Sequence, residues 1–575
     1  MNDWKKPLFK LEDVDTFVDE LLEARGVDIN DIDAFLSTSK KKLHNPYKMK
    51  DMKVAVYRII KAIQSGEKIG IFGDYDTDGV TSTSILVQVL TDLGADVVYF
   101  VPDRQKDGYG VGRRGIDFMA NNGVELCITC DTGITAVSQV HELQQRGIDV
   151  IVTDHHEPQM AEAYTDAQIA IGLPIGDHLI PKCTAVVNMK RPDCKYPFKG
   201  LAGVGVAFKV LCAVAEKIHP EKRKLVYKYL DLVALGTVAD MMELTDENRV
   251  LVHYGLKRLN NTRNRGLYQL IRANNLKDKE LTSQDIGWTL APCINAAGRI
   301  VSAEQAVDMV ISDNRLDAYR YAKELVNINS QRKELTKTYV KSIIDSIEAD
   351  DTNQAIIIQY FPAVPEGIIG LIAGRVTNHF NRPCIVVSDS EDPTMVKGSG
   401  RSIDALNLFE TLLNYTDTIN FGGHHMACGL SLEKDDLDQF KDSLEFYVDT
   451  LLTDRDMSKQ IHVDCEVKPN QVTMELLDQL SELEPFGNGH KKPVFLLKNV
   501  FIMKEKPVGD DKNHLWALMK AGNTVFSSIG FFLYEDYVAL GNPKKVDVLF
   551  TPDLNEYPAG KFNVQLKVEA VRKAK

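Results

Sequence analysis

From Lys68 onward, short apolar runs alternate with segments of helical spacing. Lys68-Ile-Gly-Ile-Phe72 leads to a helix around 81 to 93, Val97-Val-Tyr-Phe-Val101 to one around 113 to 121, and Glu125-Leu-Cys-Ile-Thr129 to one around 135 to 146; Val150-Ile-Val152 closes the series. This alternation predicts an α/β fold with a mostly parallel sheet and helices on its faces. Residues 1 to about 60 are mixed helical and polar, and helical patterns dominate from about 205 to 348. Apolar positions at helical spacing from Asn314 to Ala349, with no Gly or Pro between Arg299 and Phe361, predict one long connecting helix. At ~1.5 Å per residue it bridges roughly 50 Å between two lobes. A second αβ lobe follows, with strands at Gln354-Ala-Ile-Ile-Ile358 and Cys384-Ile-Val-Val387 flanking a helix around Gly370 to Phe380. After about 457 the runs Val494 to Leu497, Leu515 to Leu518, Val546 to Phe550 and Phe562 to Leu566, separated by Gly, Pro and Asn, predict a small β-barrel. The expected boundaries are an N-terminal helical segment 1–60, a parallel-sheet domain 61–265, a helical connector 266–350, a second lobe 351–456 and a barrel 457–575.

At 575 residues, 44% hydrophobic and 26% charged, the chain has material for about four domains of ~150 residues. No apolar run reaches the ~18 residues of a membrane span and Met1-Asn-Asp-Trp-Lys-Lys lacks a signal-like core, so the expectation is a cytoplasmic protein without membrane contact. A net charge of −13 argues against general affinity for polyanions; nucleic acid would need local basic surfaces and metals. Nine scattered cysteines suit a reducing compartment. Cys127 and Cys130 lie within a strand at odd spacing, so they face opposite ways and read as core.

Chemistry concentrates where the first strands end. Asp74, Asp76 and Asp78 follow Phe72, Asp131 follows Cys130, and Asp154 follows Thr153 with His155 and His156 beside it. Period-two geometry would send the first three carboxylates to one side. Asp and Gly suit a turn with a helix cap equally well. Ligands in open α/β sheets bind outside the carboxyl ends of the strands, so three such ends pool their carboxylates in one crevice. Carboxylate with imidazole suits manganese, zinc or iron.

Gly73-Asp-Tyr-Asp-Thr-Asp-Gly79, Asp131-Thr-Gly-Ile134, Asp154-His-His156 and Leu235-Gly-Thr-Val-Ala-Asp240 resemble, in order, the four phosphoesterase motifs of the Asp-His-His (DHH) superfamily. Gly108-Tyr-Gly110, Leu201 to Phe208, Asn295-Ala-Ala-Gly-Arg299, Gly398-Ser-Gly-Arg-Ser402 and Gly422 to Gly429 resemble the bacterial RecJ family of single-strand-specific exonucleases, and Glu484 to Gly489 resembles the segment that opens that family's oligonucleotide-binding barrel. The resemblance runs from about residue 45 to the end. It implies a DHH lobe, a DHHA1-like second lobe and an OB-like barrel, with 5′ to 3′ hydrolysis of single-stranded DNA in recombination and repair. It also implies two divalent cations, manganese or magnesium, a substrate with a 5′ end, a helicase and a single-strand-binding protein as partners, and a monomer.

Carried over motif by motif, Asp131 bridges the ions, one ion takes Asp76 with help from Asp74, and the other takes Asp78, His155 and Asp240. Asp154 orients His155, and His156 faces the substrate phosphate or the leaving oxygen. Arg299 is the phosphate clamp, since a guanidinium holds two anionic oxygens in a fixed fork. Ser399, Arg401 and the Gly422-Gly423-His424 turn form a pocket for the terminal 5′ phosphate. Two positions depart from relatives: Phe72 stands where small-phosphate phosphoesterases of the superfamily carry a ligand His, and Val364-Pro365 stands where the family often has Trp-His. Competing readings are a phosphodiesterase for short oligonucleotides or cyclic dinucleotides, and a catalytically silent replication scaffold. Of the barrel aromatics Trp516, Phe526 and Phe531, more are expected in the core than as stacking platforms, and none is named as a site.

Overall fold

A computed structural model describes residues 3–104, 106–108, 110–350, 354–453, 455–556 and 562–574. Tyr109, inside the Gly108-Tyr-Gly110 segment, lies outside the described residues. The chain divides into two units, Lys40–Met457 and Met1–Ser39 with Ser458–Lys575.

The larger unit opens with a five-stranded parallel sheet in the order Asp96–Phe100, Lys68–Phe72, Leu126–Cys130, Asp149–Thr153, Ala185–Val187. Ala185–Val187 is a strand beyond the expected series; three residues are too short to show a period. Ile69, Ile71, Ile128 and Ile151 pack into one core, and Cys127, Val150 and Val152 into another on the opposite face. Burial on both faces is what near-continuous apolar runs in a parallel sheet require. Cys127 and Cys130 belong to those two different cores. Register places Phe72 opposite Thr129 and Cys130 opposite Thr153. The strands therefore end level, and Asp74, Asp131 and Asp154 emerge at one edge.

The connecting helix is a single element of 36 residues, Arg315–Asp350. Ala322 and Leu325 pack into the first lobe's core, while Ile343 and Ile347 join Ile368 and Ile372 of the helix Glu366–Phe380 in the second lobe. That lobe's sheet runs Ile357–Tyr360, Cys384–Asp389, Met395–Arg401, Ala427–Glu433, Ile419–His424, parallel at the first pair and antiparallel thereafter. The last three strands are the glycine-rich motifs. Gly422, Gly423 and His424 accordingly sit in a paired strand, not in the turn the sequence suggested.

In the other unit, Phe495–Val508, His514–Ala521, Thr524–Gly530, Phe562–Lys573 and Lys545–Glu556 close into a five-stranded barrel through pairing of the first with the second and the last. The expected N-terminal helical segment 1–60 divides between the two units. Asp3–Trp4 pairs with Gln460–Ile461 and Phe9–Lys10 with Cys465–Glu466. Phe17, Leu21 and Leu22 of the helix Phe17–Ala24 are buried in the barrel core. Their apolar stripe needs a core that 39 residues cannot build alone. Phe526 is core, Trp516 is half-buried and Phe531 is exposed. Among the described residues no helix is long and apolar enough to cross a membrane.

Candidate metal centre

The helix after the first strand starts at Thr77, earlier than the apolar spacing indicates, and runs to Asp92. Asp74, Asp76 and Asp78 therefore do not alternate along a strand. Asp76 is the helix N-cap, its carboxylate accepting from Gly79 N–H at 2.9 Å, and Asp78 lies in the first turn. A short side chain at the N-cap satisfies one of the donors that a helix start leaves unpaired. Asp78 is fully buried, and its oxygens accept from Gly203 N–H at 2.6 Å and Val204 N–H at 2.9 Å, at the start of the helix Gly203–Ile218. A Cβ on Gly203 would stand 2.7 Å from Asp131 Cβ, and one on Gly236 would stand 2.7 Å from Asp78 Oδ1. Both motif glycines are there because the helices carrying them press against the carboxylates.

Asp131 is buried at φ 60°, a left-handed conformation uncommon outside glycine and often held at functional sites. His155 Nε2 lies 3.0 Å from Asp131 Oδ1, 3.5 Å from Asp240 Oδ2 and 3.9 Å from Asp78 Oδ2. The expected pairing of Asp154 with the His155 ring does not occur. Asp154 Oδ1 accepts from the His155 and His156 amides and from Nδ1 of the His156 ring at 2.8 Å, while Oδ2 accepts from Ile134 N–H at 2.9 Å. Turning the chain right after the strand brings the second His back over the carboxylate.

Burial and mutual repulsion push the Asp74 and Asp240 carboxyls up to about 8 and Asp78 to about 7; Asp131 rises well above the ordinary range for the same reasons. Burial opposes ionisation of Asp154 too, yet its bonds from His156 and Ile134 hold it down at about 2. The His156 imidazolium is favoured to about 9 by Asp154 against burial, and burial beside His156 lowers His155 to about 3.

Among the described residues three groups have ligand atoms within 4.8 Å of one another: Asp74, Asp76 and Asp131; Asp78, His155 and Asp240; and Asp131, His155 and His156. Asp131 Oδ1 and His155 Nε2 are buried without a hydrogen bond. Two adjacent ligands of an octahedral ion at roughly 2.1 Å stand about 3 Å apart, so this orphaned pair fits a shared divalent cation. Phe72, where some relatives carry a ligand His, is buried against Phe100 in the core and contributes nothing to the groups.

Across from this crevice, Arg299 Nη1 donates to Gly367 O at 3.0 Å. Burial, then the charges of Arg104 and Arg332, lower its guanidinium to about 10. One helical turn on, Gly370 faces Arg401 and Ser399: a Cβ there would stand 2.8 Å from Arg401 Nη2. Arg401 Nη1 donates to Ser399 Oγ at 3.1 Å and to Gly400 O at 2.7 Å. Ser399 and Gly422 flank Gly429 in register and line a cavity of about 390 Å³ with Arg104 and Lys397. Glu366 also lines it and pairs with Lys397 at 2.9 Å; Arg401 lies outside the lining, behind Ser399, as do Gly423 and His424, which are exposed further along their strand.

Sequence reasoning passed over two residues. Asn295 Oδ1 accepts from Thr77 N–H at 2.8 Å and from its hydroxyl at 2.9 Å, fixing the aspartate loop; its place in Asn295-Ala-Ala-Gly-Arg299 was the available signal. Arg104, over the Tyr75 ring and in the cavity wall, sits in a loop with no pattern to mark it.

Residues 68–237 match the DHH family, N-terminal domain, 353–450 the DHHA1 domain and 463–570 the RecJ OB domain. The single-stranded-DNA-specific exonuclease RecJ of Dickeya dadantii is 31% identical over 541 residues, covering 90% of this chain and 89% of that protein. The chain belongs to the RecJ family. Another RecJ, from Bacillus subtilis, is 35% identical over 94% of this chain, and the match spans 66% of that longer relative. RecJ of Thermus thermophilus in complex with Mn2+ superposes over 100% of this chain and 80% of its own with a TM-score of 0.78 at 26% identity. A manganese-bound exonuclease RecJ covers 70% of this chain and 95% of its own at 30% identity, with a TM-score of 0.58.

Proposed function

We propose that this chain hydrolyses single-stranded DNA from its 5′ end, releasing 5′-mononucleotides with two divalent cations, manganese or magnesium, in recombination and repair. The observation that carries the reading is the pair of ligand groups joined through Asp131 and His155, with a cavity lined by Arg104, Lys397 and Ser399 a helical turn beyond Gly367. Asp74, Asp76 and Asp131 would hold one ion and Asp78, His155 and Asp240 the other, with Asp131 between them. Bound cations neutralise phosphate oxygens and lower the pKa of the attacking water.

The chain's own groups do the rest. Arg299 clamps the scissile phosphate, its remaining donors having no carboxylate partner among the described residues. His156, held through Nδ1 by Asp154, turns Nε2 toward the substrate phosphate or the leaving oxygen. Ser399 and Arg401, with Arg104 and the open floor at Gly422 and Gly429, take the terminal 5′ phosphate. His424 and Gly423 form the exposed rim. A pocket at fixed distance from the metals counts from an end, which gives polarity.

An enzyme confined to single strands needs strand separation, so a helicase is the partner class that supplies its substrate, and single-strand-binding protein coats the strand it receives. All proposed ligands come from one chain, as a monomer requires. The nine cysteines are all free, which suits the cytoplasm.

Incubation with Mn2+ and 5′-phosphorylated single strands is expected to release mononucleotides, with blunt duplex resistant. A folded sample that leaves single strands intact overturns the reading, and cleavage of dinucleotides alone replaces it with a short-oligonucleotide phosphodiesterase.

A further inference from the structure

Trp288 is 80% exposed, a large apolar side chain left in solvent. It stands in a π-helical turn, Ile286–Leu290, that runs directly into the helix Ala291–Ile300. Such turns are rare and concentrate at functional sites. From Leu290 to Arg299 only Pro292, Asn295 and Arg299 escape burial. With Trp288 these positions are spaced four, three and four residues apart, one ridge of a helix.

The ridge has a direction. At one end Arg299 abuts Gly367, whose Cβ position lies 2.2 Å from Arg299 O, and from there one turn leads to Ser399 and Arg401. In its middle Asn295 holds the aspartate loop through Thr77. Trp288 is at the far end; a Cβ on the preceding Gly287 would stand 3.9 Å from Val238 Cγ1, in the helix Leu230–Ala239 whose C-cap is Asp240. Next to Asp240, Met241 is also exposed, at φ 55°.

We infer that Trp288 is a stacking platform for a nucleobase of the incoming strand, on the 3′ side of the scissile bond. This rests on the function proposed above. A 5′ phosphate seated at Ser399 and Arg401 and a scissile phosphate at Arg299 leave the strand to exit along the remaining accessible ridge, toward Trp288. About eleven residues of helix rise roughly 16 Å, at most about five stacked steps of roughly 3.4 Å. A strand of more than a few nucleotides reaches the indole and a dinucleotide does not. Stacking reads the π-face that every base offers, as an exonuclease indifferent to sequence requires. Trp288 is thus a positioning residue that acts on strand retention.

The test compares kcat and KM of the full chain with Mn2+ on 5′-phosphorylated thymidine strands of two and of ten nucleotides. Trp288→Ala is expected to raise KM on the decamer about tenfold, within the range seen when a stacked base loses its aromatic partner, leaving the dinucleotide untouched. Trp288→Phe restores most of the loss. An abasic sugar at the third to fifth nucleotide should cost the unaltered protein the same factor and Trp288→Ala nothing further. Equal losses on both lengths, no loss on the decamer, or additive losses with the abasic strand overturn the assignment. Should the unaltered, folded protein leave the decamer uncut, the exonuclease reading itself falls and this inference with it.

Discussion

The carboxylate crevice of the first lobe and the buried arginines Arg299, Arg332 and Arg401 carry opposite charge problems. In the crevice, burial first and then repulsion from neighbouring carboxylates, Asp76 among them, drive the Asp74, Asp78, Asp131 and Asp240 carboxyls toward the neutral form. Arg299, Arg332 and Arg401 are pushed the other way by burial and neighbouring guanidiniums. An ion pair between the two sets would relieve both. Arg299 donates to Gly367 O, and Arg401 to Ser399 and Gly400 O, but among the described residues neither donates to a carboxylate. Charges kept apart in this way are each completed by something brought in: cations on one side, phosphate on the other.

That contrast can be broken from either side. Asp131→Ala removes the carboxylate common to two ligand groups, and the expected loss in kcat is roughly a thousandfold or more, the several kcal/mol such a site supplies. Hydrolysis undiminished in a folded variant would falsify the shared-ligand arrangement. Arg299→Ala should cost about a hundredfold in kcat/KM, and Arg299→Lys should recover little, because an ammonium lacks the fork. Full recovery by lysine reduces Arg299 to a point charge. Arg401→Ala should lower activity on 5′-phosphorylated strands about tenfold while sparing 5′-hydroxyl strands, in line with ~1.5–3 kcal/mol for a charged hydrogen bond. A uniform loss on both ends removes the pocket from end recognition.

The smallest effect is on stability. Between the ordinary carboxyl value of 3.8 and about 8, Asp74 and Asp240 hold protons when folded and lose them when unfolded. Metal-free protein should therefore lose stability as pH rises through that window, and Mn2+, which binds the ionised form, should raise the melting temperature more at about pH 8.5 than at about pH 6. A shift of a few degrees that ignores pH would show Mn2+ bound elsewhere.

The crevice was legible in sequence because parallel strands end in register, so Asp74, Asp131 and Asp154 could be placed together without coordinates. What sequence could not give was direction within a loop. Helix formation starting at Thr77 changed how the three aspartates fan out, and Asp154 bonds the ring of His156 instead of that of His155. Partners distant along the chain were equally hidden: Asn295 reaches Thr77 across 218 residues, and Arg104 has no local pattern at all. The second lobe's antiparallel strands were masked by glycines, which weaken the alternation that marks a strand.

Sharing one core between the first 39 residues and the last 118 has a consequence for synthesis. A ribosome adding roughly 5–20 residues per second needs roughly 20–80 s to make the 418 residues between them. Through that interval Phe17, Leu21 and Leu22 have emerged without the barrel that buries them. The intervening unit, which holds every proposed metal ligand, can finish folding before its flanking neighbour exists.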